Sequence, residues 1–282
     1  NNFFSFSSDL ISQKYIPSFD NLINKLAVEK YLQFNYIPTP LTIFQHSFKL
    51  PAASLLCLDL DKFSFNKYND FYSLTKSKGI KFKTWWSVPF LSNTRKNKLN
   101  YSNTKQTIKK LLKKSVKDQL LSDAPLGAFL SGGIDSSLIV SIMKQYDTNT
   151  KTFTIGFENN EYDESVEAKN IANYLGTDHT EYLFSEDSVI KMIPKVSQAF
   201  SEPFADSSQI PTMLVSNIAS QKVKVALSGD GGDELFCGYN RYLYAHKYWK
   251  IIKILPYKLR IKLIKLIRLI PSKIYTRIIL LL

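Results

Sequence analysis

The sequence predicts an α/β protein, a doubly wound parallel sheet preceded by a smaller α+β segment of antiparallel character. Three observations carry this. Between residues 126 and 227, short strand-like runs alternate with amphipathic helical patterns, which is the spacing of βαβ units. Two of those runs break into glycine-rich loops that also bear acids: Ser131-Gly132-Gly133-Ile134-Asp135-Ser136-Ser137 and Ser228-Gly229-Asp230-Gly231-Gly232-Asp233-Glu234. The first 90 residues, by contrast, are rich in Phe, Tyr, Asn and Ser and show helical periodicity only around Leu22 to Leu32.

In chain order, Thr42-Ile43-Phe44 and Ser54-Leu55-Leu56-Cys57-Leu58 read as short strands. Residues 96–106 are polar and Asn-rich, a linker between a segment 1–95 and a domain 107–282. A helix over Thr104 to Leu121 places Ile108, Leu111, Leu112, Val116, Leu120 and Leu121 on one face and solvated lysines on the other. Asp123-Ala124-Pro125 ends it and launches a strand, Leu126 to Leu130. After the first glycine loop a helix runs through Leu138, Ile139, Val140, Ile142 and Met143, followed by a strand from Thr152 to Phe157. Glu161 to Ser165 opens the next helix, which carries Ala168, Ile171, Ala172 and Leu175 and stops at Gly176. His179 to Leu183 is a strand, Ser188 to Phe200 a helix kinked at Pro194, Ile210 to Gln221 a helix, and Val223 to Leu227 the strand feeding the second loop. From Lys247 onward the chain is basic and amphipathic, read as cover helices.

Composition narrows the function. At 282 residues there is room for one large domain or two smaller ones, and 44% apolar content can build a core. Cys57 and Cys237 are too far apart, and too poor in histidine partners, to indicate a disulfide framework or a zinc site; a reducing, cytoplasmic setting fits. The net charge of +13 comes from dispersed lysines accompanied by abundant Asn and Ile, a coding bias rather than a patch, so no nucleic-acid partner is expected. No apolar stretch is long enough for a transmembrane segment. The chain opens on Asn1 and stops within an apolar run, Ile278 to Leu282, and reads as a fragment of a longer protein.

The chemistry lies in the two loops. Adjacent glycines let the backbone turn and approach a ligand, while the first helical turn offers unpaired N–H groups, so the first loop favours an anion. It is neither G-x-x-x-x-G-K-[ST] nor G-x-G-x-x-G. Instead it carries Asp135 among the hydroxyls of Ser131, Ser136 and Ser137. A carboxylate repels a phosphate unless a divalent cation lies between them, which implies magnesium bound jointly by protein and polyphosphate. The second loop gathers three glycines and three acids; close carboxylates repel one another, and a cation bearing polyphosphate relieves that. It reads as the other half of the magnesium site.

The S-G-G-x-D-S-S string resembles the pyrophosphate loop of the N-type ATP pyrophosphatases, which cut ATP between its α and β phosphates. With Ser228 to Tyr239, the strand Phe153 to Phe157 and Leu175-Gly176-Thr177-Asp178-His179, it occurs in the order found in the synthetase domain of glutamine-hydrolysing asparagine synthetases. The resemblance covers about residues 20 to 282. It implies an adenine nucleotide alpha hydrolase-like sheet, ATP and Mg2+, with base and ribose held by main-chain groups at Phe129, Leu130, Ile155, Ser228 and Gly229. Pyrophosphate would lie over Ser131, Gly132, Gly133, Ser136 and Ser137, and the metal on Asp135 and Asp233. Asp230, where many members have glutamate, and Tyr239 would assist the second half-reaction. Glu202-Pro203-Phe204-Ala205-Asp206-Ser207-Ser208 resembles the acceptor-proximal segment, which makes Glu202, Asp206 and Ser207 substrate candidates, although capping is an equal reading of Asp206 and Ser207. Tyr31 to Phe44, Lys49-Leu50-Pro51 and Trp85-Trp86 look like the end of the family's glutaminase domain, whose N-terminal cysteine nucleophile nothing here matches.

The implied reaction activates aspartate as an adenylate and aminates it with ammonia from glutamine; oligomeric state is not legible, and a homodimer is compatible. Two alternatives stand beside it. One is a related adenylating amidotransferase with another carboxylate acceptor. The other is a non-catalytic nucleotide-binding or basic interaction module. His179 reads as a structural hydrogen-bonding residue.

Overall fold

A strand buried on both faces needs small, β-branched or aromatic residues throughout, and Lys151–Phe157 supplies them: Thr152, Phe153 and Thr154 are all buried. This strand is an inner strand of its sheet. The computed structural model describes residues 3–17, 19–88, 100–158 and 163–268.

The elements run α1 (Leu10–Gln13), α2 (Lys25–Phe34), β1 (Ser54–Leu58), α3 (Phe71–Thr75), β2 (Ile80–Thr84), α4 (Tyr101–Gln119), β3 (Leu126–Phe129), α5 (Ile134–Met143) and β4 (Lys151–Phe157). They continue as α6 (Ser165–Leu175), β5 (Asp178–Phe184), α7 (Glu186–Ile190), α8 (Ile193–Ala199), α9 (Gln209–Ala219), β6 (Val225–Leu227), α10 (Gly232–Phe236), α11 (Asn240–Ile252) and α12 (Tyr257–Arg268).

Strands β5, β4, β3 and β6 form a sheet in that order, every neighbouring pair parallel. Helices cover both faces. Val116 of α4, Val140, Ile142 and Met143 of α5, and Ala168 and Ala172 of α6 pack with Ala128 and Leu130 on one side. Ile218 and Ala219 of α9, with Val223, pack on Phe153 and against Phe129, Ile155 and Phe184 on the other. The expected doubly wound parallel sheet is therefore present. From β3 the chain steps to β4 and β5 in one direction and later returns to place β6 on β3's other side, so strand order reverses between β3 and β6. Ligands of open α/β sheets bind at such a reversal, beyond the carboxyl ends of the strands.

The N-terminal segment is a two-stranded antiparallel sheet, β1 on β2, over an apolar cluster of Phe63, Leu74 and Ile80 with the aromatic Phe4, Phe48, Phe65, Tyr68 and Phe71 around it. Phe63 meets Phe65 edge-on at 5.0 Å, and Phe71 meets Phe82 at 5.3 Å.

Several boundaries differ from expectation. Thr42 to Phe44 forms no strand; the segment makes isolated bridges, Ile23 to Phe44 and Leu41 to Phe48, because the Thr42 hydroxyl bonds to the Phe44 and Ser47 carbonyls and holds a local turn. Helix α4 begins at Tyr101, capped by the Asn100 side chain accepting from Ser102 N, so residues 101–106 of the expected linker are helical. Residues 96–99 lie outside the described residues. Pro194 does not kink one helix but stands in the first turn of α8, where its missing N–H costs nothing, and α7 has already ended at Ile190. Gly176 ends α6 at φ 65°, as its position implied. In α11 and α12 Leu243, Trp249, Ile251 and Ile264 are exposed; Leu269 and Ile278 to Leu282 lie outside the described residues. No helix among the described residues is long and apolar enough to cross a membrane.

Candidate active site

The strand reversal is occupied by the two glycine-rich loops, and the backbone that leads into them is fixed first. Leu130 extends β3: its N–H donates to the Phe153 carbonyl at 3.0 Å, and its own carbonyl accepts the Thr154 hydroxyl. Both of its main-chain groups are thus engaged within the sheet, while the side chains of Phe129 and Ile155 face the second core cluster.

The loop then turns at Gly132, which has φ 78° and where a Cβ would stand 3.0 Å from Glu167 Cβ and 3.1 Å from Ala168 N. A side chain there would be strained and crowded at once. Helix α5 starts at Ile134 with Gly133 as its N-cap and no side-chain cap, so its first N–H groups point into the reversal. The Ser136 hydroxyl holds the loop from within: it accepts from Ser131 N at 3.1 Å, lies 3.0 Å from Ser131 Oγ, and donates to the Gly133 carbonyl at 3.2 Å. Ser137 Oγ donates to the same carbonyl at 2.6 Å. Ser136 is only 6% exposed, so it shapes the turn, whereas Ser131 opens to solvent.

The second loop interlocks with the first. A Cβ on Gly229 would lie 2.7 Å from Ser136 N and 3.0 Å from Asp135 C, and one on Gly232 would lie 2.5 Å from the Asp135 carboxyl carbon. Only hydrogen at these positions allows the Asp135 carboxylate to rest on the second loop. The Asp233 carboxylate, one residue beyond Gly232, lies against Gly238, where a Cβ would collide with it. Asp230 is exposed at the tip of the turn, its N–H directed at Ser228 Oγ at 3.4 Å.

These side chains offer oxygen alone. Among the described residues no group of three or more His, Cys, Asp or Glu converges. One or two carboxylates completed by substrate phosphates and water is the usual way magnesium is held, and Asp135 and Asp233 supply carboxylates of that kind, one from each loop.

Tyr239, N-terminal to α11, donates its phenol to Glu234 Oε1 at 2.8 Å, and the Arg241 guanidinium stacks over its ring at 4.1 Å. The bond to Glu234 pushes the phenol above its usual range, so Tyr239 stays protonated and acts as a donor. Glu234 and Arg241 were not among the expected site residues; their partnership with Tyr239 depends on the turn at Cys237, which has φ 59°, and no local pattern marks it.

The acceptor-proximal segment behaves otherwise than expected. Glu202 turns toward the N-terminal segment, accepting from Ile43 N at 2.6 Å and pairing with Lys49. Both carboxylate oxygens are thereby committed to protein contacts. Asp206 accepts from Ser208 N at 2.8 Å, which holds its carboxyl below the usual range; it is an exposed turn cap before α9, and Ser207 is exposed beside it. His179 lies at the amino end of β5, remote from both loops. It bonds Thr152 Oγ1 through Nδ1 at 2.9 Å, its buried Nε2 finds no partner among the described residues, and its pKa is pushed down chiefly by burial.

Comparison with known proteins agrees with this layout. The asparagine synthase family model matches residues 107–277. A putative asparagine synthetase (glutamine-hydrolyzing) 2 of Methanocaldococcus jannaschii is 40% identical over 266 residues, 92% of this chain and 47% of that protein. Asparagine synthetase (glutamine-hydrolyzing) 1 of Bacillus subtilis is 35% identical over 221 residues, 78% of this chain and 32% of that one. This chain thus spans half or less of these relatives. Among solved structures, an NH3-dependent NAD synthetase from Campylobacter jejuni is similar over 50% of this chain and 62% of that chain, at 19% identity and a TM-score of 0.34. A match that takes in the whole sheet and both loops, with relatives aligned across most of the sequence, leaves one assignment: the chain belongs to the asparagine synthase family.

Proposed function

We propose that this chain carries the ATP-dependent, amide-forming site of a glutamine-hydrolysing asparagine synthetase, and that residues 1–95 are the C-terminal part of a glutaminase-like domain. The observation that carries the reading is the interlock of Gly229 and Gly232 with Asp135, which joins a phosphate-binding turn to an acidic loop at the strand reversal. The enzyme would act in the reducing cytoplasm that its exposed, unpaired Cys57 and Cys237 favour.

In this reading ATP lies over Ser131 to Gly133, its phosphates facing the first N–H groups of α5. Asp135 and Asp233 would hold magnesium, which when bound neutralises charge on the pyrophosphate. An oxygen of the aspartate side-chain carboxylate attacks the α-phosphorus; the bond to the β-phosphate oxygen breaks and pyrophosphate leaves. Negative charge gathering on that leaving group meets the loop N–H groups, which are already aimed and need no reorganisation. Ammonia then attacks the acyl carbon, AMP departs with the carbon–oxygen electron pair, and the ammonium proton passes to Asp230 or water. Tyr239, kept protonated by Glu234, would turn its single O–H from Glu234 to the developing oxyanion.

Pyrophosphate exchange into ATP by the full-length protein, run with aspartate and a series of other carboxylates, tests this. Exchange confined to aspartate supports the reading. Exchange with another acid alone would make that acid the acceptor, and none with any acid would favour the non-catalytic alternative.

A further inference from the structure

Among the described residues, the Glu202 carboxylate lies in the most extensive polar contact between the N-terminal segment and the sheet half. Its Oε1 accepts from Ile43 N at 2.6 Å and its Oε2 pairs with Lys49, whose Nζ also donates to the Ile37 carbonyl at 2.9 Å. Three residues on, Ala205 N donates to the Asn35 carbonyl at 2.7 Å, and just before it the Ser201 hydroxyl donates to Asp9.

We propose that the Lys49–Glu202 pair is a positioning joint that fixes the N-terminal segment against the catalytic edge of the sheet, so that nitrogen released from glutamine is used there. The proposal rests on the functional reading above. Its first support is location. Chain leaving β5 at the carboxyl edge passes through α7, α8 and residues 200–208 before α9 carries it back to the start of β6. Helix α9 is about 16 Å long, and its Ala219 end packs beside Val223 near the start of β6. Its other end, and the Glu202 segment leading into it, therefore lie toward the edge where the two glycine loops sit.

The second support is energetic. Glu202 is 13% exposed and Lys49 34%, and a half-buried pair contributes little net stability that apolar side chains would not match. What an ion pair with fixed hydrogen bonds adds is register: Lys49 bonds Glu202 and the Ile37 carbonyl together, which ties the two segments to one placement of its ammonium group. Neither residue belongs to the two apolar clusters that flank the sheet.

The test uses full-length protein carrying Lys49→Met, which keeps the apolar stem and removes the charge, and Glu202→Gln, which keeps the acceptor for Ile43 N. Asparagine is measured with ammonium as the nitrogen source, and with glutamine alongside released glutamate. Both variants should make asparagine from ammonium within about twofold of the parent, while asparagine formed per glutamate released falls about tenfold, the effect of losing one charge-assisted contact. Hydrogen exchange at the Ala205 amide, which bonds across the same contact, should accelerate in both, a readout independent of activity, and Lys49→Arg should restore coupling. Unchanged coupling or unchanged exchange would overturn the joint, as would a parallel loss with both nitrogen sources, which would make the pair merely structural. A parent protein that forms no asparagine from either source would overturn the functional reading and the joint with it.

Discussion

Replacing Gly229 by alanine places a Cβ 2.7 Å from Ser136 N and 3.0 Å from Asp135 C, against ordinary contact from 3.4 Å. Both opposing atoms belong to the backbone at the start of α5, so no side chain can swing away, and the loops must part by about 0.7 Å. Overpacking of this kind costs about 1–3 kcal/mol. Separating the phosphate cradle from the acidic loop should cost more in catalysis, about a hundredfold in the rate of pyrophosphate exchange, because approach geometry is lost at the reacting centre. Gly176→Ala is the control. At φ 65° alanine there is strained by about 1–2 kcal/mol, yet nothing lies within 4 Å of its Cβ. Thermal melting and exchange kinetics on the two purified variants should show comparable destabilisation, with exchange lost only in Gly229→Ala. Full exchange by a folded Gly229→Ala protein, or equal losses in both variants, would refute the interlock as the basis of the site.

Asp230→Ala should reduce asparagine formation at least as much as pyrophosphate exchange, by about a hundredfold for a lost proton acceptor; exchange and amide formation assayed side by side would contradict this if amide formation were spared. Stability should also depend on His179. Burial lowers its native pKa below the ordinary 6.5, so its protonation favours the unfolded chain. The stability it contributes is complete above about pH 6.5 and is lost as the pH falls through the depressed native value. Urea midpoints at pH 5 and 7.5 should draw together in His179→Gln, and an unchanged difference would show that His179 does not set the acid sensitivity.

How far the sequence led can be judged from particular residues. The strand from Lys151 to Phe157 and the loops at Ser131 and Ser228 were legible because their signals are local: a run of β-branched and aromatic residues, and glycines beside acids where a strand ends. Strand β2 was not singled out, since Ile80-Lys81-Phe82-Lys83-Thr84 alternates over only five residues in a lysine-rich stretch. Pro194 read as a kink, and the structure places it in the first turn of a separate helix instead, a choice that tertiary packing makes. Glu202 shows the limit most clearly. Its partners Ile43 and Lys49 come from the other part of the molecule, so the same Glu-Pro-Phe string that resembles a substrate-binding segment serves as a contact between segments.

The central claim is that ATP is cleaved between its α and β phosphates by a carboxylate bound over the interlocked loops. The most direct measurement is the fate of 18O placed in the aspartate side-chain carboxylate during asparagine formation by the full-length protein. An aspartyl-adenylate transfers one labelled oxygen to AMP, and mass spectrometry should find it there. Label in inorganic phosphate, with ADP as the nucleotide product, would mean attack at the γ-phosphorus and would contradict the account.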